Sequence, residues 1–223
     1  MSQADRAVGD GVSRVILASA SAVQGRAAEL NQLDGVAGDG DLGITMGKAS
    51  LALARTLGDA GGDAAQVLRK CGAALAAAVP STSGTLLAMG FLAAAKAIAG
   101  GPGSATAQVA EGFAAATREI QLRGKASPGD KTMLDVLAPV TQCLQEAAHD
   151  DHPLAVALHE AAARAVEATE ATRGLIARAG RAKWMQDRGQ GHPDAGCQML
   201  SIAIAAAADA VAADGGQPEV ALE

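Results

Sequence analysis

Three aspartates, Asp34, Asp39 and Asp41, fall within eight residues of the stretch Leu33-Asp34-Gly35-Val36-Ala37-Gly38-Asp39-Gly40-Asp41-Leu42-Gly43. Glycines separate and flank them, and no lysine or arginine lies close by in sequence. Carboxylates a few ångströms apart repel, so such a group folds cheaply only around a cation. Glycine reaches the positive φ angles that turn all three side chains toward one point. Hard oxygen ligands on a tight loop suit Mg²⁺ or Ca²⁺ rather than zinc. The spacing is not that of an EF-hand, which needs Asp-x-Asp-x-Asp-Gly and a glutamate at its twelfth position. Mg²⁺ is commonly co-liganded by phosphates, which points to nucleotide chemistry. The competing reading is a solvated turn, since Asp and Gly are ordinary turn residues.

Three further polar segments stand at or before the start of a helical pattern. Helix N-termini bind anions through free N–H groups and the macrodipole, so Gly43-Ile44-Thr45-Met46 places an anion site beside the acidic loop. Ser81-Thr82-Ser83-Gly84-Thr85 resembles a phosphate cradle in composition, although N-capping accounts for it better when taken alone. No Walker A sequence occurs. In Gly129-Asp130-Lys131-Thr132-Met133-Leu134-Asp135, Asp130 is a candidate cap and Met133 a flexible cover for a flat ligand, although a simple cap with a core methionine accounts for the segment better when taken alone. Finally, Arg181, Lys183 and Arg188 precede Gly191-His192-Pro193-Asp194-Ala195-Gly196 and either offer charge against a polyphosphate or stand in a solvated loop, the default for isolated charges. His192 is either a general base or a structural hydrogen-bond partner.

The elements that must carry these loops are helices. The chain has 223 residues, 49% of them hydrophobic and 1% aromatic, and alanine dominates. Helical patterns run over 12–30 with a break near Ser19–Ser21, then 43–57, 63–79, 82–98, 105–122, 132–148 with a kink at Pro139, 152–179 and 194–212. No alternating run of β-branched residues marks a strand. The segment 180–196 reads as irregular, and the tail 214–223 as frayed. No composition shift or repeat divides residues 1–223, so a single domain is expected.

A net charge of −6 and a pI near 5.2, with no basic stripe and few aromatics, argue against nucleic acid. Cys71, Cys143 and Cys197 form no CxxC pair or disulfide framework, which fits reduced thiols in a cytoplasmic protein. The N-terminal residues carry no signal-peptide pattern. The apolar run Leu86–Ala95 is too short to span a bilayer.

Taken in order, these motifs resemble the L subunit of dihydroxyacetone kinase, its nucleotide-binding subunit. The resemblance covers nearly the whole chain. It rests on Leu33-Asp34-x₄-Asp39-Gly40-Asp41-x-Gly43, on Ser83-Gly84, on Gly124-Lys125 followed by Gly129-Asp130-Lys131-Thr132-Met133-x-Asp135, and on Gly180-Arg181-Ala182 with Gly191-His192-x-Asp194-x-Gly196. It implies an all-α fold, an eight-helix antiparallel barrel with the nucleotide at one end. By that resemblance Asp34, Asp39 and Asp41 bind two Mg²⁺ ions that bridge the phosphates of ATP or ADP. Leu42, Gly43, Ile44, Thr45, Thr82, Ser83 and Gly84 face phosphate, and Gly124, Met133, Arg181, Asp194, Ala195 and Gly196 complete the nucleotide site.

The resemblance further implies a partner K subunit that holds a short keto-sugar covalently on a histidine. It leaves two phosphoryl donors, exchangeable ATP or a bound ADP recharged by a phosphotransferase-system phosphocarrier, and a homodimer is an open arrangement. Two segments depart from the family pattern. Leu42-Gly43-Ile44-Thr45 stands where His-Gly-x-Asn is usual, and Pro80-Ser81-Thr82-Ser83-Gly84-Thr85 where Gly-Gly-x-Ser-Gly-Pro is usual. These bear on the acceptor, for which another triose or a tetrose such as erythrulose is an alternative to dihydroxyacetone. Rival readings are a non-catalytic helical module that binds nucleotide or lipid and regulates a partner protein, and a Ca²⁺-stabilised scaffold.

Overall fold

The computed structural model describes residues 2–58, 61–101 and 103–215, and the backbone alone of Arg181, Gln186 and Asp187. Among the described residues there are nine α-helices and no strand: α1 (Gln3–Gly25), α2 (Ala27–Ala37), α3 (Leu42–Leu57), α4 (Ala64–Ala78), α5 (Thr82–Ile98), α6 (Ala105–Gly124), α7 (Leu134–His149), α8 (Leu154–Ala171) and α9 (Ala195–Gly215). A 3-10 run over Arg181–Gly189 lies between α8 and α9. Local signals set many of the helix starts. Ser2 with Asp5, and Asp63 with Gln66, form reciprocal capping boxes. Ser81 and Ser104 cap α5 and α6, each such cap contributing about 1 kcal/mol.

Eight of the helices form a closed ring. α1 packs on α3, each helix from α3 to α9 packs on the next, and α9 returns to α1. Connections as short as residues 79–81 and 150–153 leave consecutive helices no room to run parallel. One end of the barrel therefore carries the turn after α2, the 79–81 turn, the 125–133 loop and the 172–194 excursion. The opposite end gathers the α3–α4 connection against Gly9 of α1, and the α7–α8 turn, where Thr106 Oγ1 donates to the His152 carbonyl at 2.8 Å. Arg14 pairs with Asp214 toward that same end. α2 lies outside the ring and packs on α3, α9 and the 3-10 run.

The core consists of three clusters of buried residues, bridged by the partly buried Leu87, Phe113 and Leu200. Leu30, Met46, Met133, Leu134 and Met199 pack directly beneath the first set of loops. α9 is long and apolar enough by length and composition to cross a membrane, with a mean hydropathy of 1.5. Here it is packed between α8 and α1 as a wall of the ring.

Several boundaries differ from the sequence reading. α1 begins at Gln3 rather than Val12, because the capping box at Ser2 starts it. The break falls at Arg26, not at Ser19–Ser21, where Ser19 donates to the Ala203 carbonyl of α9 and stays helical. α2 extends through Ala37, so Asp34 stands on a helix rather than in a loop. α8 ends at Ala171, well before residue 179, and the 180–196 segment contains the 3-10 run. Helix persists to Gly215, and the rest of the tail expected to fray lies outside the described residues.

Two glycines of α3 separate packing from propensity. A Cβ on Gly43 would overlap the carbonyl of Ala27 at the start of α2, whereas one on Gly47 meets nothing within 4 Å. Gly43→Ala is expected to destabilise the chain by about 3 kcal/mol in urea unfolding through forced overpacking. Gly47→Ala is expected to stabilise it by up to about 1 kcal/mol through helix propensity.

Candidate metal and nucleotide site

The acidic cluster is built by the end of α2 and a sharp return. Asp34 lies in the last turn of α2, whose carbonyl accepts from Gly38 N at 2.6 Å. Gly40 reverses the chain at φ 74 and packs on Gly35, where an added Cβ would lie 3.5 Å from its Cα. A side chain on Gly38 would overlap the Asp34 carboxylate. The reversal brings Asp41 N back to donate to Asp34 Oδ2 at 3.1 Å. The outcome is one carboxylate oxygen from each of Asp34, Asp39 and Asp41, all within 4.8 Å of one another, with Asp39 and Asp41 exposed and Asp34 half-buried. Opposite oxygens around a single Mg²⁺ are roughly 4.2 Å apart at bond lengths near 2.1 Å. Small rotamer shifts thus bring this set onto one ion, and the donor chemistry suits a hard cation.

Asn31, which the sequence reading missed, sits at the adjoining helix start. Its Oδ1 accepts from Gly43 N at 2.7 Å and from Ile44 N at 3.2 Å. Two of the N–H groups assigned to phosphate are therefore satisfied by a side chain of α2. Leu42, Gly43 and Thr45 are buried, and Ile44 is 56% exposed. Gly43 is explained by its close approach to Ala27.

At the second loop, Gly84 N donates to Ser81 Oγ at 3.0 Å, and Ser81 Oγ lies 3.3 Å from Ser83 Oγ. The capping reading holds here. Gly84 is required because a Cβ would overlap Val79. Thr82 is exposed and Ser83 half-buried. One turn on, Leu86 packs on Gly124 at the end of α6.

The third and fourth segments interlock. Asp135, rather than Asp130, takes the N–H groups before α7, accepting from Gly129 N at 2.5 Å and Thr132 N at 2.7 Å. Asp130 closes the preceding turn instead, accepting from Ser127 N at 2.8 Å, and its carbonyl accepts from Arg178 N at 3.0 Å. Met133 is 8% exposed and packs into the core, with its Cγ 2.8 Å from where Gly196 would carry a Cβ. Asp194 caps α9: its N donates to Thr172 Oγ1 at 2.9 Å and its Oδ1 accepts from Cys197 N at 2.8 Å. Cys197 in turn donates from Sγ to the Thr132 carbonyl at 3.0 Å. Ala195 and Cys197 are buried. The Arg181 side chain is outside the described residues. His192 is exposed, with Nδ1 3.3 Å from the Gln190 carbonyl, a structural contact.

Lys131 is a second residue whose part was missed. It is 5% exposed, and its Nζ donates to the carbonyls of Leu175 (3.2 Å), Gly189 (2.7 Å) and His192 (2.9 Å). Burial pulls its ammonium down, opposed chiefly by Asp194. Nothing short of a position for the loops would have revealed it, since a lysine in a polar loop reads as solvated.

Burial lifts the Asp194 carboxyl to about 6, against the two bonds from Cys197 that lower it. The folded chain therefore holds this proton to higher pH than the unfolded chain does, and the stability this contributes is lost as pH rises from about 4 through about 6. Asp194→Asn keeps a capping oxygen and cannot ionise. Urea unfolding should show the stability of the variant relative to the parent rising across that window and levelling above it.

The chain is similar to known proteins over most of its length. Residues 36–209 match the family model described as the DAK2 domain. The ADP-binding subunit DhaL of the PEP-dependent dihydroxyacetone kinase of Escherichia coli is 32% identical over 182 residues, covering 78% of this chain and 87% of that subunit. A D-erythrulose kinase of Mycolicibacterium smegmatis is 37% identical over 203 residues, 90% of this chain and 35% of the kinase. The crystal structure of the dihydroxyacetone kinase from C. freundii in complex with AMP-PNP and Mg²⁺ superposes with a TM-score of 0.66 at 25% identity, over 91% of this chain and 34% of that one. The chain thus spans about a third of the erythrulose kinase and of the C. freundii kinase, and most of DhaL. By the extent of the domain match and its coverage of DhaL, the chain belongs to the DAK2-domain family, in its DhaL type.

Proposed function

We propose that this chain is the nucleotide-binding component of a dihydroxyacetone-type kinase and supports Mg²⁺-assisted phosphoryl transfer to a short keto-sugar held on a K-type partner. The observation that carries the proposal is the set of three carboxylate oxygens within 4.8 Å of one another at the barrel end. The names of its relatives support it: DhaL is called ADP-binding, and the C. freundii kinase was crystallised with AMP-PNP and Mg²⁺.

In this reading Asp34, Asp39 and Asp41 hold Mg²⁺, as two ions with the nucleotide present. The metal supplies neutralisation of charge on the phosphates. The residues of the chain contribute placement. The α2 end and the Gly40 reversal aim the carboxylates. Leu42 to Thr45 and Thr82 to Gly84 border the phosphates from two helix starts, and Gly124, Met133, Arg181, Asp194, Ala195 and Gly196 enclose the rest of the nucleotide. Asn31 holds the α3 N–H groups until an anion competes for them. Holding reactants in fixed geometry and offsetting charge is the greater part of catalysis in phosphoryl transfer.

Asp39→Asn tests the metal role. Calorimetric titration with Mg-nucleotide should show affinity reduced by about 100-fold or more, while helical circular dichroism shows the fold retained. Wild-type affinity in that variant contradicts the assignment. The donor is decided by dialysis. Nucleotide that stays bound and is rephosphorylated only when a phosphocarrier is added identifies a recharged ADP, whereas rapid exchange with turnover on added ATP identifies ATP.

A further inference from the structure

Lys131 joins two loops that are far apart in sequence. Its three ammonium protons meet three main-chain carbonyls, from Leu175, Gly189 and His192. These acceptors come from before, at the end of and just after the 3-10 run Arg181–Gly189. Gly189 fills the space between this lysine and α2: an added Cβ would lie 3.2 Å from Ala37 Cβ and 3.8 Å from Lys131 Nζ. Ala37 ends α2 between Asp34 and Asp39. A continuous path of contacts thus runs from the ammonium through Gly189 to the acidic turn.

A ring of carbonyl oxygens about 3 Å from a compact positive charge is the surrounding of a bound monovalent cation, here supplied on a tether. An arginine cannot replace it, since its planar fork does not present three donors to a point. The left-handed backbone at Lys131, φ 58, is kept although it is uncommon for a residue with a side chain. Conformations of that kind persist where the surroundings over-determine them.

We propose that Lys131 is a positioning residue of the nucleotide site: its ammonium acts as a tethered monovalent cation that pins the 3-10 run against the acidic turn and so sets how tightly Mg-nucleotide is held. The proposal rests on the function put forward above, but the pin itself can be read without nucleotide. Trp184 is the single tryptophan of the chain, lies in the pinned run and is 77% exposed. Its fluorescence anisotropy reports whether that run is held.

The test uses the whole chain with Lys131→Gly, which tolerates the positive φ, beside Lys131→Met, which keeps bulk without charge. Helical circular dichroism should be retained in Lys131→Gly. Trp184 anisotropy should fall, and Mg-ATP affinity should weaken about tenfold or more, because three carbonyls lose their shared donor, the buried one of Gly189 among them. Ammonium or methylammonium ions should restore both readings in Lys131→Gly and neither in Lys131→Met, whose side chain fills the space. Anisotropy and affinity within twofold of the parent overturn the proposal, as does a loss that the small cations leave unchanged in Lys131→Gly. If Lys131→Gly does not fold, Lys131→Met decides: lowered anisotropy and affinity support the pin, and parental values overturn it. Failure of the parent chain to bind Mg-ATP instead sinks the proposed function, while the anisotropy arm still settles the pin.

Discussion

The constraint on which this structure depends is the convergence of three negative side chains at one end of a helical barrel. Nothing in the hydrophobic core requires it. Carboxylates whose oxygens lie within 4.8 Å of one another repel. They are held there by means that are local and specific. α2 continues far enough to put Asp34 in its last turn, Gly40 turns back at a positive φ, Gly38 leaves space for a carboxylate, and Asp34 binds the backbone of Asp41. In the function proposed above, a divalent cation offsets that repulsion, and that is what would make the cluster a site rather than a turn.

The barrel serves this end of the molecule by giving four loops a common rim. Short connections alternate the helix directions, so every second loop arrives at the same place. The loops are then tied to one another. Asn31 joins α2 to α3, Lys131 joins the 125–133 loop to the 172–194 excursion, and Asp194 with Cys197 and Thr132 joins α9 to the same loop. Met46, Met133 and Met199 fill the uneven space beneath with flexible side chains. The site is thereby supported from below by packing and from the sides by hydrogen bonds.

What could be read in the sequence follows from how local each signal is. Like-charge crowding at Asp34, Asp39 and Asp41 is visible in eight residues and needs no tertiary structure. The cap at Ser81 and the helical content follow from composition and caps. The break at Arg26 was not legible, because neither Gly25 nor Arg26 differs from residues tolerated inside helices. Asn31 could have been suspected only by knowing that α2 and α3 meet end to end. Lys131 was hidden by its type: a lysine beside Gly129 and Asp130 looks solvated, and its burial arises from residues 44 to 61 positions away. The matched motifs carried the barrel, since periodicity specifies helices but not their closure into a ring.

The most direct measurement is a crystal structure of the full chain grown with Mn²⁺ and AMP-PNP, with anomalous scattering used to place the metal. The account predicts manganese peaks between Asp34, Asp39 and Asp41, with the terminal phosphates of the nucleotide bridging to them. Anomalous peaks elsewhere, with those three carboxylates turned into solvent, would contradict it.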